Sequence, residues 1–134
     1  MIDSAEEFIR LRDSHEKSEY DRSALEEASS DVWHEVLDKY PEYGKWVAYN
    51  KTVPLEILDR LCGFDVGARR SGALKRKLSV EIFERLCMDE DEIVRCNLAV
   101  NKKVPVHVLN ILKLDEDKDV RDAAEHNLAQ RSKE

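Results

Sequence analysis

The stretch Asn101-Lys102-Lys103-Val104-Pro105-Val106-His107-Val108-Leu109-Asn110-Ile111-Leu112 has a copy 51 residues earlier, Asn50-Lys51-Thr52-Val53-Pro54-Leu55-Glu56-Ile57-Leu58-Asp59-Arg60-Leu61. Midway between them lies Lys75-Arg76-Lys77-Leu78-Ser79-Val80-Glu81-Ile82-Phe83-Glu84-Arg85-Leu86, so the repeating unit is half of that offset. A weaker copy runs from Val32 to Tyr40. In all four, apolar residues fall at i, i+4, i+5 and i+8: Val32, Val36, Leu37, Tyr40; Val53, Ile57, Leu58, Leu61; Leu78, Ile82, Phe83, Leu86; Val104, Val108, Leu109, Leu112. That spacing lays one apolar stripe along one face of a helix. Pro54 and Pro105 sit near the helix start, where a missing N–H costs little.

A second helix is predicted before each stripe. Its clearest forms follow Asp89-Glu90-Asp91-Glu92 and Asp115-Glu116-Asp117, with Val94/Leu98 and Val120/Ala124 as apolar i, i+4 pairs. The aspartates suit helix starts, where carboxylates cap free N–H groups and complement the dipole. Asn50, Asn101 and Asn127 are expected to stop these helices, since asparagine tolerates the left-handed conformation. A fixed period of this kind marks units that bury their faces only against neighbours. The expected fold is therefore all-α: a short right-handed α-solenoid of about four two-helix repeats over residues 31–128. Residues 1–30 supply capping helices, one over 4–12 opened by Ser4 with Glu7 at the capping-box position, and one around Ser23 to Ala28. Residues 129–134 are expected to fray, and residues 1–134 to form a single domain.

On Asp89-x-Asp91-x-x-Val94-Arg95-x-x-Leu98-Ala99-x-Asn101, Val104-Pro105-x-x-Val108-Leu109-x-x-Leu112 and Asp115-x-Asp117-x-x-Val120-Arg121, the chain resembles bacterial helical-repeat proteins of the variant leucine-rich-repeat and HEAT-like kind. The resemblance implies architecture rather than activity. Some variant repeat proteins carry an N-terminal cysteine cluster for iron–sulfur binding. With no cysteine before Cys62, that cofactor is not carried over.

No motif points to catalysis, and the reading is non-enzymatic, with no cofactor and no metal. Cys62, Cys87 and Cys96 are odd in number, fit no zinc spacing, and read as small hydrophobes in a reducing cytoplasm. No run of about 20 apolar residues could cross a bilayer, and Met1 to Glu7 lack the pattern of an export signal. His15, His34, His107 and His126 form no ligand pair at helical spacing. Asp115-x-Asp117-x-Asp119 has Val120 where a calcium loop needs Gly and His126 where it needs Glu.

Of 134 residues, 29 are acidic and 22 basic, a net charge of -7. That charge is unevenly spread: residues 1–44 carry -8, residues 45–88 carry +4 and residues 89–134 carry -3. Five of the nine aromatic residues, Trp33, Tyr40, Tyr43, Trp46 and Tyr49, lie in the acidic part or just beyond it. Aromatic anchors with an acidic rim suit a basic partner. The expected function is a binding module, most concretely an immunity- or antitoxin-type protein that neutralises a basic toxin such as a nuclease and is monomeric apart from its partner. Trp33, Tyr43 and Trp46 would anchor it, and Glu26, Glu27, Asp31, Glu35, Asp38 and Glu42 would form the acidic face. The alternative is a nucleic-acid-binding repeat protein using a basic ridge in the third repeat: Arg69, Arg70, Lys75, Arg76 and Lys77.

Overall fold

A computed structural model describes residues 1–133. Among them the chain is all-helical, with ten α-helices, one 3₁₀ turn and no strand beyond an isolated backbone bridge between Ile2 and Ala28. None of the helices is long and apolar enough to cross a membrane. Two compact units are formed, Met1–Gly72 and Ala73–Glu134.

The first unit contains α1 (Ala5–Asp13), α2 (Lys17–Leu25), α3 (Ser30–Lys39), a 3₁₀ turn (Pro41–Tyr43), α4 (Gly44–Tyr49), α5 (Leu55–Leu61) and α6 (Val66–Gly72). Ser4 caps α1 by accepting from Glu7 N–H at 3.0 Å, and the Glu7 carboxylate accepts in turn from the Asp3 N–H at 3.1 Å. The second capping helix lies earlier than expected. It ends at Leu25, because residues 26–28 are drawn out to meet the N-terminal segment, where Ile2 N–H donates to Glu27 O at 2.8 Å. Ile2, Phe8, Leu11, Trp33, Val36, Leu37, Ile57 and Leu61 fill the core. Each apolar side chain of this size contributes about 1.5–3 kcal/mol on full burial. Gly44 permits the close approach of α4 to α6, since a Cβ there would stand 3.4 Å from Ala68 Cβ on α6 and 3.1 Å from the Phe64 ring just before it.

The second unit contains α7 (Val80–Leu86), α8 (Glu92–Val100), α9 (Val106–Leu112) and α10 (Lys118–Arg131). Its apolar stripes are buried at Ile82, Phe83 and Leu86, and at Val104, Val108, Leu109 and Leu112. Helix α10 runs on through residues 129–131, where fraying is expected, and Ser132 and Lys133 turn back on it through their N–H groups. Glu134 lies outside the described residues.

One local device occurs three times at a constant interval. Asp65, Asp91 and Asp117 each accept the N–H three residues on, at 3.0, 2.9 and 3.1 Å. Arg69, Arg95 and Arg121, one helical turn after those caps, each donate to a carbonyl of the turn that opens the helix: Phe64 O at 2.6 Å, Asp89 O at 2.7 Å and Asp115 O at 2.8 Å.

The asparagines work differently from the expectation. No described residue has a positive φ, and Asn50 and Asn101 leave their helices in extended conformation, with ψ of 131° and 124°. Asn127 lies inside α10. Their value is in the amide. Asn50 Nδ2 donates to Ser23 O and Glu26 O at 2.8 and 3.0 Å, Asn101 Nδ2 to Ala73 O and Lys75 O at 2.9 and 2.7 Å, and Asn127 Nδ2 to Ala99 O and Asn101 O at 2.9 and 3.0 Å. In each case the carbonyls lie at the end of a helix or just after it, well back in the chain, on the order of one repeat earlier.

Candidate functional site

The predicted acidic-aromatic face falls within the first unit, and packing takes it apart. Trp33 is fully buried, edge-on to Phe8 with ring centroids 5.2 Å apart, and its Nε1–H has no partner. An anchor must be reachable from solvent, so Trp33 is a core residue instead. Its apolar stripe neighbours Val36 and Leu37 turn α3 so that the indole faces inward. Trp46 is half-buried beneath cations, with the Arg12 guanidinium 3.7 Å and the Lys45 ammonium 4.9 Å from its ring centroid. The Tyr43 hydroxyl donates to Asp13 Oδ2 at 2.6 Å, which pushes its pKa up to about 12. Tyr40, at the end of its stripe, is only half-buried and donates to Glu6 Oε2 at 3.0 Å.

Half of the acidic set is likewise engaged. Glu26 accepts from Arg22 Nε at 2.5 Å and pairs with the Met1 ammonium at 2.7 Å, which holds its pKa down at about 2. Glu35 pairs with Lys39 at 3.2 Å and Asp38 with Arg60 at 2.5 Å. Glu27, Asp31 and Glu42 are exposed and outside any ion pair among the described residues. Asp31, Glu35 and Asp38 share one side of α3 by their spacing.

The five residues of the alternative ridge are divided between the units. Arg69 and Arg70 are half-buried on α6, and Arg69 serves the turn as described above. Lys75 is half-buried and Arg76 and Lys77 are exposed, all on the segment before α7.

Burial raises the thiol pKa of Cys87 and Cys96. Among the described residues no group of His, Cys, Asp or Glu could hold a metal ion. Asp115 and Asp117, the first two members of the calcium-like triplet, serve the polypeptide. Asp115 accepts from Arg95 and from the Asp117 N–H, and Asp117 caps α10.

A surface suited to a partner lies in the second unit, and none of the residues predicted for the acidic-aromatic face or the basic ridge lines it. A groove of about 790 Å³ runs past the turns that follow α7 and α9. Its rim carries Met88 and Leu114, 76% and 79% exposed, beside Ile111. Glu90 and Glu116 stand exposed at the same rim, Glu116 3.8 Å from the Arg95 guanidinium. Arg95 and Asp115 also line the groove, joined by bonds of 2.8 and 3.3 Å. A signal for this groove is present in the chain. Met88 and Leu114 hold the same place after successive stripes, each two positions past the last apolar residue and directly before an aspartate. A solvated turn at those places would ordinarily be polar.

The placement of the two indoles has a direct readout. A Trp46→Phe protein, with Trp33 alone, is expected to emit at short wavelength and resist iodide quenching; a Trp33→Phe protein should be quenched more readily. Equal quenching of both would contradict the burial of Trp33.

Comparison with family models, with curated proteins and with solved structures finds no match to the chain.

Proposed function

We propose that this chain is a non-enzymatic, protein-binding helical-repeat module whose docking face is the acidic-apolar groove of the second unit. Its architecture, on this reading, is a right-handed α-solenoid of about four two-helix repeats with an N-terminal helical cap. What supports the repeat reading is the regular recurrence of the aspartate cap, the arginine brace and the asparagine amide bonds.

The observation that carries the functional reading is the pair Met88 and Leu114. Two large apolar side chains held more than three-quarters exposed on neighbouring turns bury little of their surface in the free protein, and such patches mark interaction sites. Glu90 and Glu116 beside them select a cationic partner and speed its approach. The occupant is a basic protein segment that places an apolar side chain between Met88 and Leu114 and a Lys or Arg against each glutamate. Its most concrete form is a basic, nucleic-acid-degrading toxin, with this chain as the immunity- or antitoxin-type inhibitor.

The test compares wild type with the double variant Met88→Ser/Leu114→Ser as bait for cytosolic extract at low and high salt. Partners are identified by mass spectrometry, and the leading one is purified for direct binding and nuclease assays. The expected result is one basic protein bound at low salt, weakened at least tenfold by the double variant, whose nuclease activity this chain suppresses. Equal capture by both baits, or recovery of nucleic acid alone, would overturn the assignment.

A further inference from the structure

The turns at the other ends of the second unit's helices carry the opposite charge. The segment before α7 holds Lys75, Arg76 and Lys77, the α8–α9 turn holds Lys102 and Lys103, and α10 ends at Arg131. These three places are bonded side by side. Asn101 Nδ2 donates to Lys75 O at 2.7 Å, Asn127 Nδ2 to Asn101 O at 3.0 Å and Arg131 Nη2 to Lys102 O at 2.9 Å. Lys102 and Lys103 serve this framework through backbone groups, which leaves their ammonium groups to solvent. Arg76, Lys77, Lys102 and Lys103 are all exposed and outside any ion pair among the described residues.

The acidic side chains gather at the opposite turns: Asp89, Glu90 and Asp91, then Asp115, Glu116 and Asp117. Helix α8 joins the two ends and spans about 14 Å. At 0.1 M salt the Debye length is about 10 Å, so the far acids do not cancel the basic edge. Net charge therefore says little about this surface.

Between the α8–α9 turn and α10 lies a groove of about 1010 Å³. Lys102 and Lys103 line one side, and His126, Gln130 and Arg131 line the other. Asp122 is the one carboxylate among its lining residues, and Lys118 pairs with it at 2.7 Å. No Phe, Tyr or Trp lines the groove, His126 being its one ring, and its apolar part is limited to Val100 and Ala123.

We infer that this basic edge binds the phosphodiester backbone of nucleic acid. Cations set out along three adjacent turns match a polymer with a charge at every link. A single imidazole makes no platform for successive bases, so the contact reads the backbone and not the base sequence. An acidic polypeptide fits less well, because the groove has no pocket for the large apolar anchors that dominate protein interfaces. The site is distinct from the acidic-apolar groove and does not depend on it.

The experiment is fluorescence anisotropy of the full chain with a labelled duplex and a labelled single strand of equal length, from low salt to about physiological salt. Four phosphate contacts predict that log K falls against log salt with a slope of about -3.6 for duplex. Lys102→Glu/Lys103→Glu is expected to weaken binding at least tenfold and flatten the slope by about two. Arg76→Glu/Lys77→Glu, on the neighbouring segment, is expected to act in the same direction and decides the matter if the first variant melts early. Met88→Ser/Leu114→Ser should leave the affinity unchanged. The inference is overturned by no binding at low salt, by wild-type affinity in the folded charge variants, or by polyglutamate competing as well as unlabelled oligonucleotide, which would make the edge a site for acidic protein.

Discussion

Replacing Asn101 by alanine is expected to cost about 3 kcal/mol or more of stability, and replacing it by aspartate more still. Asn101 is 4% exposed, and its amide meets three backbone groups at once. Nδ2 donates to Ala73 O and Lys75 O, and Oδ1 accepts from Lys103 N–H at 2.8 Å. A buried polar group stripped of its partner costs about 1–3 kcal/mol, and alanine strips three. They are not all fully enclosed, which sets the figure near the lower end of their sum. Aspartate has the same shape but no N–H. It would also point a negative charge at two carbonyl oxygens. In a chain of this length the alanine change should lower Tm by on the order of 10 °C. Urea and thermal unfolding followed by circular dichroism measure both variants. A loss below about 1 kcal/mol for Asn101→Ala, or an aspartate variant as stable as the alanine one, would refute the role assigned to the amide. Asn127→Ala should cost less, because that side chain is only half-buried.

Arg95→Ala is expected to be of similar size, about 3 kcal/mol. Arg95 is 8% exposed and grips Asp115 through Nε and Nη2 while Nη1 holds Asp89 O at 2.7 Å. The carboxylate beside it raises the guanidinium pKa further, so the residue stays charged at all ordinary pH. Breaking a buried pair by removing one partner costs about 3–5 kcal/mol. The low end applies here because Asp115 keeps the N–H of Asp117, at 2.9 Å, as a second donor. Lysine retains the charge but not the planar fork, so Arg95→Lys should lose part of the stability and not recover the wild-type value. A double-mutant cycle in denaturant provides the check. Arg95→Ala/Asp115→Ala should be more stable than the sum of the two single losses, since the second change removes the stranded carboxylate. Additive losses would mean that the pair is not coupled. Arg121→Ala, whose guanidinium meets the carbonyls of Asp115 and Glu116, should cost about 1 kcal/mol.

These two side chains show where reading the chain succeeds and where it stops. Arg95 stands one helical turn after a capping aspartate, and that spacing is visible in the chain along with its copies at Arg69 and Arg121. Its ion pair with Asp115 is not, because that carboxylate belongs to a turn brought near only by packing. The asparagines mark the same boundary more sharply. Their recurrence is plain, and a helix-stopping role fits their local preferences. The amide bonds instead to carbonyls far back in the chain, and no local preference encodes a long-range partner. For the functional surface the gap is wider. Trp33 has the composition of an anchor, but it stands one helical turn before Val36 and Leu37 and faces inward with them. Glu26 has the composition of a solvated acid, but the Met1 ammonium, brought near by packing, joins Arg22 in neutralising it.

By itself the sequence determined that the chain is helical, where most of the helices begin, and most of the stripe side chains that line the core. Those properties follow from the spacing of apolar residues and from aspartates and serines that bond to their own backbone, interactions that span only a few residues. The tertiary structure decided which charges are paired, which aromatic rings see solvent, and which turns stand side by side. Those properties depend on groups far apart in the chain meeting within hydrogen-bond distance. The turns that carry Met88 and Leu114 at one end of the second unit, and Lys77 and Lys102 at the other, became surfaces only through that meeting.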